Sequence, residues 1–112
     1  MHISITATRL ELTPALREYV EAKLGSVGKL LQHFERAGEL TLFVEVARTT
    51  KHHRHGEVYY AEVTLRVPRQ TIRIEEYDAD IREAVDRVKA RLKIDIAKLK
   101  ERREERRRER RV

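Results

Sequence analysis

Between Arg82 and Arg102 the lysines and arginines fall into two rows. Arg82, Lys89, Lys93 and Lys100 are spaced seven, four and seven residues apart, and Arg87, Arg91, Lys98 and Arg102 four, seven and four. On a helix turning by about 100° per residue, each row climbs one flank of the apolar series Ile81, Val85, Val88, Leu92, Ile96 and Leu99. Two basic rails beside a buried seam suit one chemistry above others, the neutralisation of successive phosphates on a polyanion, which is driven by counterion release. The competing reading is that these stems lie over the core and hold their charges in water for solubility. The earlier helical segment adds Arg17, Lys23 and Lys29, which Glu18 and Glu21 dilute, so its part is secondary.

Other chemistries fare less well. His52, His53 and His55 lie close together, but no carboxylate or cysteine stands beside them at ligand spacing, so no metal site is expected. With Lys51 and Arg54 they read instead as a basic loop able to touch phosphate and to gain charge below neutral pH. Phe43, Tyr59 and Tyr60 invite comparison with sheets that stack bases. Their alternation puts Tyr59 with the buried set and leaves Phe43 and Tyr60 on the other face, where cross-strand packing is the better account. There is no glycine-rich phosphate loop, no serine-histidine-aspartate grouping and no pair of carboxylates in an apolar setting, so neither an enzyme nor a bound cofactor or small-molecule substrate is expected.

The charge is unevenly placed. Residues 1–78 carry 11 basic and 11 acidic groups, whereas residues 79–112 carry 14 basic and 8 acidic groups, which accounts for the whole net charge of +6. The 112 residues suffice for one domain with a modest core. The lack of cysteine fits a reducing compartment, and the first residues do not read as a secretory leader, so the expected location is the cytoplasm, with no membrane contact.

The elements that must position the rails follow from periodicity. Ile3 and Ile5 alternate with His2, Ser4 and Thr6, predicting a strand over 2–8. Thr13-Pro14 caps a helix whose apolar residues Leu16, Val20, Leu24, Val27, Leu31 and Phe34 carry it to near Gly38, with Gly25 and Gly28 marking either close packing or a bend. Strands are predicted through Leu40–Ala47, Val58–Val67 and Thr71–Glu75, the last two joined by a tight turn at Pro68-Arg69-Gln70. The final helix begins at Asp78 or Asp80. The order β-α-β-β-β-α predicts an α+β fold, a two-layer sandwich in which a four-stranded sheet carries both helices on one face. Residues 1–100 form the domain and 101–112 an arginine-rich tail, helical or frayed, with 7 arginines and 4 glutamates.

Four stretches in this order, ITATRLELTPALREYVEAKL, KLLQHFERAGELTLFVEV, GEVYYAEVTLRVP and DADIREAVDRVKARL, resemble the short ribosome hibernation-promoting factor and ribosome-associated inhibitor family, also described as sigma-54 modulation proteins. The resemblance covers residues 1 to about 100 and implies the same β-α-β-β-β-α fold. It also implies binding to the small ribosomal subunit and its rRNA where messenger and transfer RNA lie, silencing translation by occupancy. The family positions that meet rRNA match Arg91, Lys98 and Lys100, while Ile94 stands where an arginine is common and Arg82 where a tyrosine is frequent. With no dimerising domain after a linker, the chain resembles the short form and is expected to be monomeric when free. Two other readings stay open: a general binder of structured RNA, and a protein-interaction module whose charged C-terminal helix is a spacer.

Overall fold

A computed structural model describes residues 1–49 and 58–111. Four strands, β1 (His2–Thr8), β2 (Thr41–Arg48), β3 (Tyr59–Val67) and β4 (Gln70–Asp78), lie side by side in chain order. β1 runs parallel to β2, because a helical crossover joins them, and the other two pairs are antiparallel. Helix α1 (Pro14–Gly25) and helix α2 (Ile81–Arg110) share one face of the sheet, as the alternation requires.

The core is the set of residues that periodicity singled out. Val44, Val46, Ala61, Val63, Leu65, Ile72 and Ile74 point from the sheet to Leu16, Val20 and Leu24 of α1 and to Val85, Val88, Leu92, Ile96 and Leu99 of α2, all buried. No polar or charged residue is buried among the described residues, so the interior is held by apolar contact alone. Thr13 caps α1, its Oγ1 accepting from the Leu16 amide at 3.1 Å. Asp80 caps α2 by accepting from the Arg82 amide at 2.8 Å. Asp78 instead accepts from the Asp80 amide at 3.0 Å, so it shapes the approach and does not cap the helix.

Two expectations need correction. The first helix does not run unbroken to Gly38: α1 stops at Gly25, and the chain continues as 3₁₀ segments over Ser26–Leu31 and Phe34–Ala37. Side chains at Val27, Leu31 and Phe34 remain buried, so the apolar spacing persisted while the backbone tightened. Neither glycine sits against a close neighbour, since a Cβ at Gly25 or Gly28 would come no nearer than 3.7 Å to another side chain. The Ser26 hydroxyl donates to the Lys23 carbonyl at 2.7 Å and so competes with continuing helix. The fourth strand is also longer than its apolar alternation, reaching Asp78 through ladder pairing of Glu76 with Ala61 and Tyr77 with Tyr60.

At the β3–β4 turn, Arg69 adopts φ 69°, in the left-handed region that favours glycine. We expect Arg69→Gly to stabilise the protein by up to about 1 kcal/mol, the relief of backbone strain exceeding the greater freedom of glycine in the unfolded chain. Denaturant unfolding would measure it, and a lower midpoint would show the turn to be unstrained.

Candidate nucleic-acid interface

Helix α2 lies with its apolar stripe down on the sheet, so the two rails emerge on opposite sides of it. One rail faces α1 and the other faces the β4 edge. On the α1 side, Asp86 accepts a hydrogen bond from the Tyr19 hydroxyl at 2.6 Å and lies 3.7 Å from Lys23 Nζ. The Arg82 guanidinium and Lys23 ammonium sit 5.3 and 5.5 Å from the centre of the Tyr19 ring. Lys23 and Arg82 are thus partly engaged in joining the two helices. Lys89, Lys93 and Lys100 follow along this flank with no ion pair to a described residue, and Lys29 is exposed on the 3₁₀ segment that packs against α2.

On the β4 side, Arg87 donates to the Tyr77 carbonyl at 3.3 Å and pairs with Asp78 at 3.4 Å. Arg91 donates to the Glu75 carbonyl at 3.2 Å and pairs with Glu76 at 3.0 Å. These arginines cover carbonyls on the outer edge of the sheet, which would otherwise offer a free ladder. Lys98 and Arg102 continue the rail without such partners among the described residues. The rails as spaced in the sequence are therefore real rows of charge, but they are not uniform: Lys89, Lys93, Lys98, Lys100 and Arg102 have no ion pair to a described residue, while Lys23, Arg82, Arg87 and Arg91 are shared with neighbours. Between the rails, on the outer side of α2, Ile94 is 54% exposed.

The opposite face of the molecule carries a carboxylate row. Glu45, Glu62 and Glu75 stand in register across β2, β3 and β4. Arg73 holds two of them, forking onto Glu62 at 3.0 and 3.1 Å and reaching Glu75 at 3.0 Å. Its guanidinium pKa is raised by those same carboxylates, the Glu62 bonds first. Tyr60 donates to Glu45 and packs beside Tyr77, with ring centres 5.7 Å apart. Phe43 is 45% exposed on this face, with Arg66 over its ring at 5.9 Å. Phe43, Tyr60 and Tyr77 are thus tied to a carboxylate, to one another and to a cation, as cross-strand packing predicts, and with Arg73 and Arg66 offsetting most of the carboxylate row this face lacks the excess of positive charge found along α2.

Burial and the bond to Asp86 push the Tyr19 phenol up to about 12. The Tyr60 phenol is also raised, by burial and then by its bond to Glu45. Both groups favour the neutral phenol in the folded chain, so their stabilisation is intact below the ordinary tyrosine value and is lost as pH climbs through the folded value. Tyr19→Phe should cost about 1 kcal/mol at neutral pH and flatten the loss of stability above pH 10.0. Denaturant unfolding of both proteins across that range would check it, and parallel alkaline losses would contradict it.

The basic loop at 51–55, with His52, His53 and His55, lies outside the described residues. Among the described residues there is no group of three or more histidine, cysteine or acidic side chains placed to hold a metal, and no helix is long and apolar enough to cross a membrane.

Residues 3–104 match the family described as sigma 54 modulation protein / S30EA ribosomal protein. The chain belongs to this family. A ribosome hibernation promotion factor of Lactococcus lactis subsp. cremoris is 33% identical over 99 residues, 88% of this chain, and the chain spans only about half of that relative, 49% of its length. A ribosome hibernation promoting factor of Acidithiobacillus ferridurans is 27% identical over 86 residues, covering 77% of this chain and 100% of the relative. Among solved structures, the N-terminal domain of Thermus thermophilus Protein Y superposes with a TM-score of 0.70 at 32% identity, covering 88% of this chain and 99% of that one. A ribosomal subunit interface protein of Coxiella burnetii shares the fold, with a TM-score of 0.68 at 23% identity, over 89% of this chain and 98% of its own. The α+β sandwich read from periodicity is thus the fold of the family.

Sequence spacing missed two things. One is the Tyr19–Asp86 link between the helices, which separate patterns within each helix could not reveal. The other is in the tail. The helix continues to Arg110, and Leu99, Arg103, Arg106 and Arg110 keep the four-three-four interval of the core stripe, so these arginines turn toward the domain. Arg103 lies 4.5 Å over the ring of the buried Phe34 and donates to the Pro68 carbonyl at 2.7 Å. The interval was visible in the sequence, but arginine does not register as part of an apolar stripe.

Proposed function

We propose that this protein is a ribosome hibernation factor that binds the small ribosomal subunit through the helical layer. There it fills the region where messenger and transfer RNA lie and silences translation by occupancy, in the cytoplasm and without catalysis. The observation that carries this reading is the polarity of the molecule: the cations Lys89, Lys93, Lys98, Lys100 and Arg102 along α2, none in an ion pair with a described residue, against the carboxylate row Glu45, Glu62 and Glu75 on the far side. A field divided in this way orients the domain on RNA with its helices inward. Family membership and relatives named as ribosome hibernation factors support the choice of RNA. Contacts from long side chains to phosphate fix position and shape but read no sequence, which suits a folded RNA of fixed architecture.

Arg91 can serve both the fold and the RNA, because its ion pair with Glu76 is half exposed and such pairs are weak. If Arg91 exchanges Glu76 for a phosphate, Glu76→Gln should tighten small-subunit binding, whereas Arg91→Gln should weaken it and flatten its logarithmic salt dependence by about 0.7–0.9. An unchanged slope would remove Arg91 from the interface.

The proposal is tested by mutual exclusion. Small subunits loaded with messenger and initiator transfer RNA should fail to bind the protein, and bare subunits should bind it. Equal binding to both would rule out occupancy of that region, and displacement of the protein by free duplex RNA would favour a general binder of A-form RNA.

A further inference from the structure

At one end of the molecule, the last three turns of α2, the 3₁₀ segment and the β3–β4 turn enclose a recess of about 340 Å³. Its walls carry six arginines, Arg69, Arg102, Arg103, Arg106, Arg107 and Arg110, together with His33 and Gln70, and no acidic residue among the described residues. Arg103 is partly buried and the other described tail residues are exposed, so the recess is open to solvent. Helical phase sorts the tail's charges: Arg103, Arg106 and Arg110 continue the inward interval, while Glu101, Glu104 and Glu105 fall on the outer side. Among the described tail residues one Arg–Glu pair forms, Arg107 with Glu104 at 3.9 Å. Arg69, Arg102, Arg106 and Arg110 have no ion pair to a described residue.

Two further features suggest that the recess is built. Arg103 is fixed by the Phe34 ring on one side and the Pro68 carbonyl on the other, giving the recess a rigid floor. Arg69 occupies a left-handed backbone position where glycine would be relaxed, and it contributes one wall. Strained residues that persist are a pointer to function. Converging guanidiniums repel one another unless an anion lies between them, and their planar forks match phosphate oxygens two at a time. His33 is the one aromatic ring among the described lining residues, since Phe34 is covered by Arg103, so the lining is dominated by phosphate-binding groups.

We propose that this recess is an oligophosphate site, which adjoins the α2 rails at Arg102 and takes two or more adjacent phosphate groups. They would come either from a free oligophosphate or from a phosphodiester chain. The volume suits a small polyanion. The inference goes beyond the ribosome reading and does not depend on it.

Titration calorimetry with inorganic tripolyphosphate tests the site directly on the whole chain. The parent protein should bind it, the double variant Arg106→Gln/Arg110→Gln should bind at least tenfold more weakly, and Arg9→Gln/Arg48→Gln, at the far end of the sheet, should bind as the parent does. Arg69→Gly adds a control for folding, because it should bind severalfold more weakly while unfolding at no lower a midpoint. A second arm identifies the source: in the Lys89→Gln/Lys93→Gln background, a single-stranded RNA oligonucleotide that displaces tripolyphosphate points to a phosphodiester chain, and failure to displace it points to a free oligophosphate. Equal tripolyphosphate affinity in the parent and the Arg106→Gln/Arg110→Gln variant would overturn the proposal. Ribosome binding plays no part in that measurement, so failure here and failure of the functional reading can be told apart.

Discussion

Replacing Lys93, Lys98 and Lys100 together with glutamine is expected to weaken binding to small ribosomal subunits at least tenfold and to flatten the logarithmic salt dependence by about 2 to 3 units, while the fold survives. The slope follows from the loss of three phosphate contacts, each releasing about 0.7–0.9 of a counterion. The fold survives because none of the three makes an ion pair with a described residue and none is buried, and surface changes of that kind stay within about 0.5 kcal/mol. Measuring affinity across a salt series matters more than a single value, because a nonspecific loss of structure would lower affinity without a matching change of slope. An unchanged slope with intact folding would remove this helix from the RNA.

The second large effect is on stability. Phe34→Ala should destabilise the protein by about 3–5 kcal/mol, within the range for truncating a buried aromatic. Phe34 is buried at 3% exposure between the 3₁₀ segment and α2, and its ring carries the Arg103 guanidinium at 4.5 Å. The substitution removes core volume and the platform that holds the tail in a single step. Arg103→Met separates the two contributions: it keeps a stem over the ring but loses the cation and the bond to the Pro68 carbonyl, and should cost only about 1 kcal/mol. Denaturant unfolding of both variants would show it. Similar costs for the two would mean that the tail, rather than the core, sustains Phe34.

Much of this was legible in the sequence because its information is periodic. Alternation in His2–Thr8 and in Tyr59–Val67, and the three-and-four spacing from Ile81 to Leu99, report burial directly, so strands, helices and the side each presents could be assigned. Where the backbone departs from that period while burial does not, the pattern misleads. Val27, Leu31 and Phe34 keep helical spacing through a stretch that is 3₁₀, and the competing bond from Ser26 to the Lys23 carbonyl is a local detail that spacing does not encode.

The basic rails were legible as rows of charge but not as free or engaged charge. That distinction depends on what lies across from each residue in another element: Tyr19 and Asp86 beside Arg82 and Lys23, and Asp78 and Glu76 beside Arg87 and Arg91. The carboxylate row of the far face was hidden for the same reason, since Glu45, Glu62 and Glu75 line up only through strand register. The tail's arginines looked like a low-complexity run until helical phase and the Phe34 ring gave them a direction.

Sucrose-gradient sedimentation with separated subunits would show whether the helical layer binds the small ribosomal subunit. The protein should travel with the small subunit and not the large one at low salt, leave it as salt rises, and be lost from that fraction when Lys93, Lys98 and Lys100 are glutamine. Sedimentation with neither subunit at low salt, or retention of the triple variant at every salt concentration where the parent is retained, would contradict the account.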